Sequence, residues 1–423
     1  MIGAPPAPRS LSLRRGAAWA TVGNGIYFGC QYGMLAVLAK LGDATAVGQF
    51  ALALALCAPI VVLSQMNLRQ LQVTDVRTEV RFADYFLHRA AFSVPALLLI
   101  GAIASRHSSD VALVIGAVGV AKVLESVSDV IHGDLQRLER LDLVAVSLIL
   151  KGGLSLLAMA VVMAATGSLF WATVGMAGAW LAILLGYDVP VHRRTTGGSE
   201  FVAGARAIAI RQLTRISAPL ALTAGLISLS GNIPRYFLDA LQGKEGVAIF
   251  AIAAAPLILA NLVSGAVNQA ALPRAARSFQ LGDFEAFRRL ALRLVGLNVL
   301  IGLGFALVLA VGGRFLIAAL FTPDYVSAVP LMVVMSLGVS VGGLGAYGAL
   351  VVSAGRRFTL QLYNVIVMVV LQLIVCYALI GSYGTTGAAW SEFLRYAGSA
   401  AFLLISGWVV YHSEKRIALA NAR

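Results

Sequence analysis

The residues of this 423-residue chain with the greatest chemical reach are ionisable groups set inside otherwise apolar runs. Lys122, Glu125 and Asp129 recur at i, i+3 and i+7, a spacing that puts all three on one face of a helix. Lys151, in the next apolar run, falls at the same depth as Lys122, about 12 Å from the inner edge of a ~30 Å hydrocarbon core. Charge at that depth is costly and demands partners, and two readings follow. In one, Glu125 is clamped between Lys122 and Lys151 and fixes a helical hairpin. In the other, the leftover positive charge faces a wet cavity and attracts a phosphate, with Glu125 or Asp129 titrating as a coupling site. Glu392 and Arg395 form a further i, i+3 pair, read as structural.

Arg69, Arg215 and Arg235 stand at the ends of apolar runs, where their guanidinium forks could hold a pyrophosphate or simply anchor the chain at an interface. Side-chain amides gather in the first, second, seventh, eighth and eleventh apolar runs, among them Asn24, Gln31, Asn261, Asn268 and Gln372. Amides serve as interhelical glue, and a sugar path would also want them because they both donate and accept hydrogen bonds. No HExxH or P-loop is present, and no acidic pair sits in a polar loop of useful size. A transporter without cofactor or metal is therefore expected rather than an enzyme, driven by an ion gradient or by the substrate's own gradient. The five histidines lie at the ends of runs and read as interface markers; Cys30, Cys57 and Cys376 read as small core residues.

The elements that must carry these groups are membrane spans. Residues of the AVILMFWYC set make up 59% of the chain and charged residues 12%, and the mean hydropathy is +0.87. That composition excludes a water-soluble fold and leaves no room for a soluble catalytic domain. Hydropathy predicts an all-α polytopic membrane protein with spans near 16–39, 46–67, 86–105, 110–131, 143–165, 168–190, 213–234, 246–269, 290–311, 328–354, 358–380 and 386–410. The first run is too long for a signal peptide and is expected to stay as span 1. Of the 32 Lys and Arg, 24 fall in the tails and alternate loops on one side, five on the other, and Lys122, Lys151 and Arg395 inside spans. By the positive-inside rule both termini face the cytoplasm. The net charge of +13 is then a consequence of topology and of attraction to anionic headgroups, not a nucleic-acid footprint. Trp19, Trp171, Trp390 and Trp408 fall near span ends, while Trp180 falls mid-span.

Residues 46–55, AVGQFALALA, match 246–255, GVAIFAIAAA, at Val47/Val247, Phe50/Phe250, Ala51/Ala251, Ala53/Ala253 and Ala55/Ala255. The match opens the second span of each half. Because six is even, two six-helix lobes of parallel topology, pseudo-symmetric about an axis along the membrane normal, are expected. The domain reading is a lobe at 1–195, a cytoplasmic linker at 196–212, a lobe at 213–410 and a cytoplasmic tail at 411–423. Gly23-Asn24-Gly25, Pro59, Pro219 and Pro256 mark candidate helix interruptions along a substrate path.

The stretches LAKLGDATAVGQFALALALCAPIVVLSQMNLRQ (38–70), GNIPRYFLDALQGKEGVAIFAIAAAPL (231–257) and LVVSAGRRFTLQLYNVIVMVVLQLIVCYALIGSYGTTGAAWSEFL (350–394) resemble the O-antigen and exopolysaccharide flippases of the multidrug, oligosaccharidyl-lipid and polysaccharide exporter superfamily. The likeness runs over essentially the whole chain. It implies alternating-access transport of undecaprenyl-pyrophosphate-linked oligosaccharide across the bacterial inner membrane, through a cationic cavity lined by spans 1, 2, 7 and 8. Arg69, Arg215, Arg235 and Lys122 match the cationic feature, with Asn24, Asn261 and Asn268 as polar contacts. Glu125, Asp129 and Lys151 form the charge cluster. Expected partners are the lipid-linked glycan, the bilayer and the polysaccharide polymerase with its chain-length machinery. The competing readings are a drug or small-solute antiporter of the same superfamily, which favours acidic cavity residues, and a membrane-embedded glycan polymerase, which needs a larger outer loop than 312–327.

Overall fold

The apolar runs become helices, and the turns between them follow local capping chemistry. The computed structural model describes residues 13–75, 80–197 and 206–421, and among these every regular element is helical. They are α1 (Leu13–Leu41), α2 (Ala44–Ser64), α3 (Leu68–Thr74), α4 (Phe82–Ala104), α5 (Ser109–Arg137), α6 (Leu141–Thr166), α7 (Leu169–Ile183), a π turn (Leu184–Asp188) and α8 (Val189–Thr196). Then come α9 (Ala207–Gln280), α10 (Phe284–Leu320), a 3-10 turn (Pro323–Ser327), α11 (Ala328–Leu344), α12 (Ala346–Ala354) and α13 (Phe358–Asn421). Asp43 caps α2 by accepting from Ala46 N at 2.7 Å, and Asp283 caps α10 by accepting from Ala286 N at 2.9 Å. Gly167, at φ 62°, ends α6.

Among the described residues, nine continuous helical stretches are long and apolar enough to cross a membrane. Two of these, α9 and α13, each hold two expected spans, because the backbone leaves the helical region at Gly243 (φ 71°, ψ −164°) and at Gly384 (φ 55°, ψ −131°). A Cβ on Gly387 would lie 3.1 Å from Ile380 N. A continuing helix would separate those residues by about 10 Å, so the chain turns back at Gly384. The twelfth expected span is α1, which is more polar than the others because it carries Asn24, Gln31, Tyr27 and Tyr32.

The chain divides into two compact units, Met1–Ser228 and Leu229–Arg423. The division falls inside α9, beyond the 196–212 stretch. The first part of α9 belongs with the first unit, where His88 Nε2 lies 3.0 Å from Thr214 Oγ1. In that unit α1 packs chiefly on α6, while α2, α4 and α7 pack on α5. In the second unit α10 packs on α11, and α11 and α12 pack on α13. The matched repeat positions are equivalent in burial: Val47 and Val247, Phe50 and Phe250, and Ala53 and Ala253 are all buried. Large apolar side chains such as Leu98, Val311 and Phe315 are exposed on the outside of the helices, the distribution of a protein dissolved in lipid rather than water. Trp19, Trp171, Trp390 and Trp408 are exposed as well, whereas Trp180 is wholly buried.

The expected interruptions lie elsewhere. Helix α1 runs unbroken through Gly23-Asn24-Gly25, α2 runs through Pro59, and the non-helical residue inside α9 is Gly243 rather than Pro219 or Pro256. Gly23 serves close packing instead: a Cβ there would lie 2.7 Å from Ala145 Cα in α6. The breaks in the first unit are Met66 and Asn67, at φ 52° and 49°, and the π turn Leu184–Asp188.

Candidate functional site

Helix α5 is the charged spine of the first unit. Lys122 Nζ donates to Glu125 Oε2 at 2.9 Å one turn along the same helix, and Tyr27 of α1 donates its hydroxyl to Glu125 Oε1. The Lys122 ammonium stands 5.2 Å from the ring centre of Trp180, which accounts for a buried mid-span tryptophan. The expected clamp of Glu125 between Lys122 and Lys151 is therefore half present. Lys151 donates instead to Asp188 Oδ2 at 2.7 Å. The π turn delivers Asp188 to that position, since its one-residue widening redirects the side chains that follow. His132 Nε2 lies 3.0 Å from Ser147 Oγ and 3.5 Å from Asp188 Oδ1.

One turn farther along α5, Asp129 is shared by two arginines. Arg69 Nη1 of α3 donates to Oδ1 at 3.0 Å, and Arg89 Nη2 of α4 lies 3.4 Å from Oδ2. Arg69 also donates through Nε to Gln136 Oε1 at 3.0 Å, and Arg89 through Nη1 to Ser126 Oγ at 2.9 Å. Two cations on one carboxylate leave a unit of positive charge on this cluster. Nearer the end of α5, Asp134 pairs with Arg137 at 2.6 Å and with His192 at 2.8 Å, and Asp84 pairs with Arg206 at 2.9 Å.

The second unit has less charge. Arg235 donates through Nη1 to Gly231 O at 3.1 Å and Asn232 Oδ1 at 3.0 Å, and its guanidinium lies 5.3 Å from the Phe250 ring centre. Glu392 and Arg395 form the expected i, i+3 pair at 2.5 Å, with Gln372 donating to Glu392 at 3.2 Å. Asn261 donates to Tyr396 Oη at 2.8 Å, and Asn298 donates to Asn268 Oδ1 at 2.9 Å.

Of the residues singled out from sequence, Arg69, Lys122, Glu125, Asp129 and Lys151 lie in the first unit on or against α5. Arg235, Asn261 and Asn268 lie in the second unit. Arg215 is exposed on α9, and Asn24 bonds Ala20 O at 2.7 Å within its own helix. Sequence reasoning missed Arg89, Asp188, Tyr27 and His132. Arg89 is one of the 24 Lys and Arg that the positive-inside count places in the cytoplasmic segments, yet it is wholly buried in α4. Its position three residues into an apolar run was the available signal. Asp188 already lay within the predicted run 168–190, but a π turn has no sequence mark of its own. His88, His132 and His192 are buried and hydrogen-bonded rather than interfacial.

The chain is 24% identical over 370 residues to the capsular polysaccharide biosynthesis protein CapF of Staphylococcus aureus, covering 85% of this chain and 90% of that one. Its fold matches an inward-facing multidrug resistance MATE family transporter of the MOP superfamily, with a TM-score of 0.68 at 14% identity over 97% of this chain and 96% of that one. It matches equally a MOP superfamily transporter from Pyrococcus furiosus, described as having a binding pocket of reverse polarity that suggests a different function. There the TM-score is 0.67 at 15% identity over 95% and 96% of the two chains. At such identities the structures show the fold alone. Residues 13–279 match the family model described as Polysaccharide biosynthesis protein. That match spans well over half of a multi-pass membrane protein with the MOP transporter fold, and the chain belongs to the polysaccharide biosynthesis protein family.

Proposed function

We propose that the protein is a flippase that moves undecaprenyl-pyrophosphate-linked oligosaccharide, an O-antigen or exopolysaccharide repeat unit, across the bacterial inner membrane. The polyprenyl tail stays in lipid while the pyrophosphate and sugars cross by alternating access of lobes 1–195 and 213–410, both termini being cytoplasmic. No bond is made or broken. The flipped glycan passes to a polymerase and its chain-length machinery. Arg69, Arg215, Arg235 and Lys122 hold the phosphates, and Asn24, Asn261 and Asn268 meet the sugars.

The sign of the surplus charge carries this reading. Glu125, Asp129, Asp134, Asp188 and Glu392 each meet a basic partner, whereas Arg235 meets neutral oxygens and an aromatic ring, and Asp129 has one arginine more than it needs. A site for cationic drugs would want the reverse, a carboxylate to spare. A superfamily relative described with a binding pocket of reverse polarity accords with charge rather than helix architecture deciding what is carried.

Deleting the gene should accumulate undecaprenyl-linked glycan on the cytoplasmic leaflet. Glycan found already flipped but unpolymerised would favour the polymerase reading instead. Arg69→Ala and Arg215→Ala should each lower surface glycan at unchanged protein level, and wild-type export in both would remove these residues from the proposal.

A further inference from the structure

Resting on the phosphate-bearing substrate proposed above, we infer that Asp129 is an internal stand-in for that phosphate. It holds the Arg69 guanidinium until a diphosphate takes it, and Arg89 keeps the vacated carboxylate paired. Asp129 and Arg89 are thus positioning residues for Arg69.

The two arginines on Asp129 differ in their freedom to leave. Arg89 is wholly buried in α4 and tied through its other nitrogen to Ser126 Oγ at 2.9 Å. Arg69 is 35% exposed, and it rides on α3, a helix of seven residues joined to α2 through Met66 and Asn67, both at left-handed φ. A non-glycine residue in that region is strained, and two in succession mark a joint rather than a continuing helix.

Charge balance makes the exchange inexpensive. When Arg69 turns to an external anion, Asp129 and Arg89 remain as a one-to-one pair with the Ser126 hydrogen bond intact, so no buried charge is orphaned. The Lys151–Asp188 pair has no second arginine in reserve, the other basic neighbour of Asp188 being His132 at 3.5 Å. The seat of α3 is also imperfect. Gln72 is wholly buried against Gly133 of α5, and among the described residues neither its amide oxygen nor its nitrogen has a hydrogen-bond partner. An unsatisfied buried amide weakens the docking that Arg69 otherwise secures through Asp129 and Gln136.

The test is titration calorimetry of the purified full chain in detergent at fixed salt, with inorganic pyrophosphate and farnesyl pyrophosphate in parallel. Asp129→Asn removes the internal competitor and should bind diphosphate about tenfold more tightly than wild type, the weight of one charge-assisted hydrogen bond. General structural damage would weaken binding, so the sign of the change separates positioning from mere support. Adding Arg69→Ala to Asp129→Asn should abolish the gain. Asp129→Asn with Arg89→Gln removes the buried pair together and should reproduce the gain, which keeps the test decisive if the single variant folds poorly. A gain with both ligands means that the diphosphate itself is recognised, and a gain with farnesyl pyrophosphate alone means that its lipid-linked form is. Unchanged or weaker binding of both ligands in both variants, or a gain that survives Arg69→Ala, overturns the inference. Glycan export by the wild-type gene decides the flippase reading separately: export without the affinity gain sinks only the stand-in, and a gain without export sinks only the flippase.

Discussion

Lys151 Nζ donates to Asp188 Oδ2 at 2.7 Å, with both side chains only 1% exposed. The bond joins α6 to the π turn that follows α7, so it ties the sixth expected span to the fifth. Neither charge has water to fall back on. Asp188→Asn leaves the Lys151 ammonium without its carboxylate, and Lys151→Met leaves Asp188 only the longer His132 contact at 3.5 Å, so each alone should cost about 3–5 kcal/mol. Lys151→Met with Asp188→Leu should lie close to wild type, because an apolar pair of similar volume needs no compensation. Unfolding of the detergent-solubilised protein would check both, and equal damage in the single and double variants would show that the pair is not the cause.

Gly23 and Gly25 sit two residues apart in α1 but face different surroundings. A Cβ at Gly23 would meet Ala145 Cα and Cβ at 2.7 Å, whereas one at Gly25 has nothing within 4 Å. Gly23→Ala should therefore force α1 from α6 and lower stability by about 1–3 kcal/mol, the usual cost of overpacking. Gly25→Ala should be neutral or stabilise by about 0.5–1 kcal/mol through helix propensity. Melting temperatures of the two variants decide between close packing and a flexible substrate-path hinge, since a hinge would make both changes harmful to transport and neither harmful to stability.

The contrast between these glycines shows what a sequence discloses here. Span existence was legible, because twenty-odd apolar residues in water-free surroundings have one way to satisfy their backbone. The repeat was legible too, as Phe50 and Phe250 occupy equally buried places. Ion pairing was legible only where it is local: Lys122–Glu125 and Glu392–Arg395 follow from i, i+3 spacing. Lys151–Asp188 and Arg89–Asp129 join residues 37 and 40 positions apart, and only helix packing decides them. Prolines misled because a membrane helix can carry Pro59 without a break, while the real break at Met66-Asn67 has no glycine or proline to announce it.

Gly243 tests the joint between the two halves of α9. Its φ of 71° with ψ of −164° lies in a region that is essentially glycine-only, and a Cβ there would meet nothing within 4 Å. The cost of Gly243→Ala is therefore purely conformational and should be about 1–3 kcal/mol. Gly384→Ala should cost more, since its Cβ would also collide with the Gln242 side chain. The order of the two melting temperatures is the measurement. Gly243→Ala falling at or below Gly384→Ala would mean that the collision is relieved by side-chain movement.

Arg235 should discriminate charge from shape in the second unit. Its guanidinium lies over Phe250, a wholly buried ring, and donates to Gly231 O and Asn232 Oδ1, which fixes the plane of the fork and, among the described residues, leaves it without a carboxylate at hydrogen-bond distance. A guanidinium so held is pre-oriented for a phosphate, whereas a lysine at the same place would keep the charge and lose the stacking and the fork. Arg235→Ala should reduce surface glycan by tenfold or more at unchanged protein level, roughly the weight of one charge-assisted contact. Arg235→Lys should retain an intermediate level. Phe250→Leu, which removes only the ring, should lose about 0.5–1 kcal/mol of support, a two- to fivefold effect. Surface glycan measured beside membrane-fraction protein for the three variants checks the ranking. If Arg235→Lys exports no better than Arg235→Ala, planar recognition outweighs charge; if all three export like wild type, Arg235 packs the helix and carries no substrate.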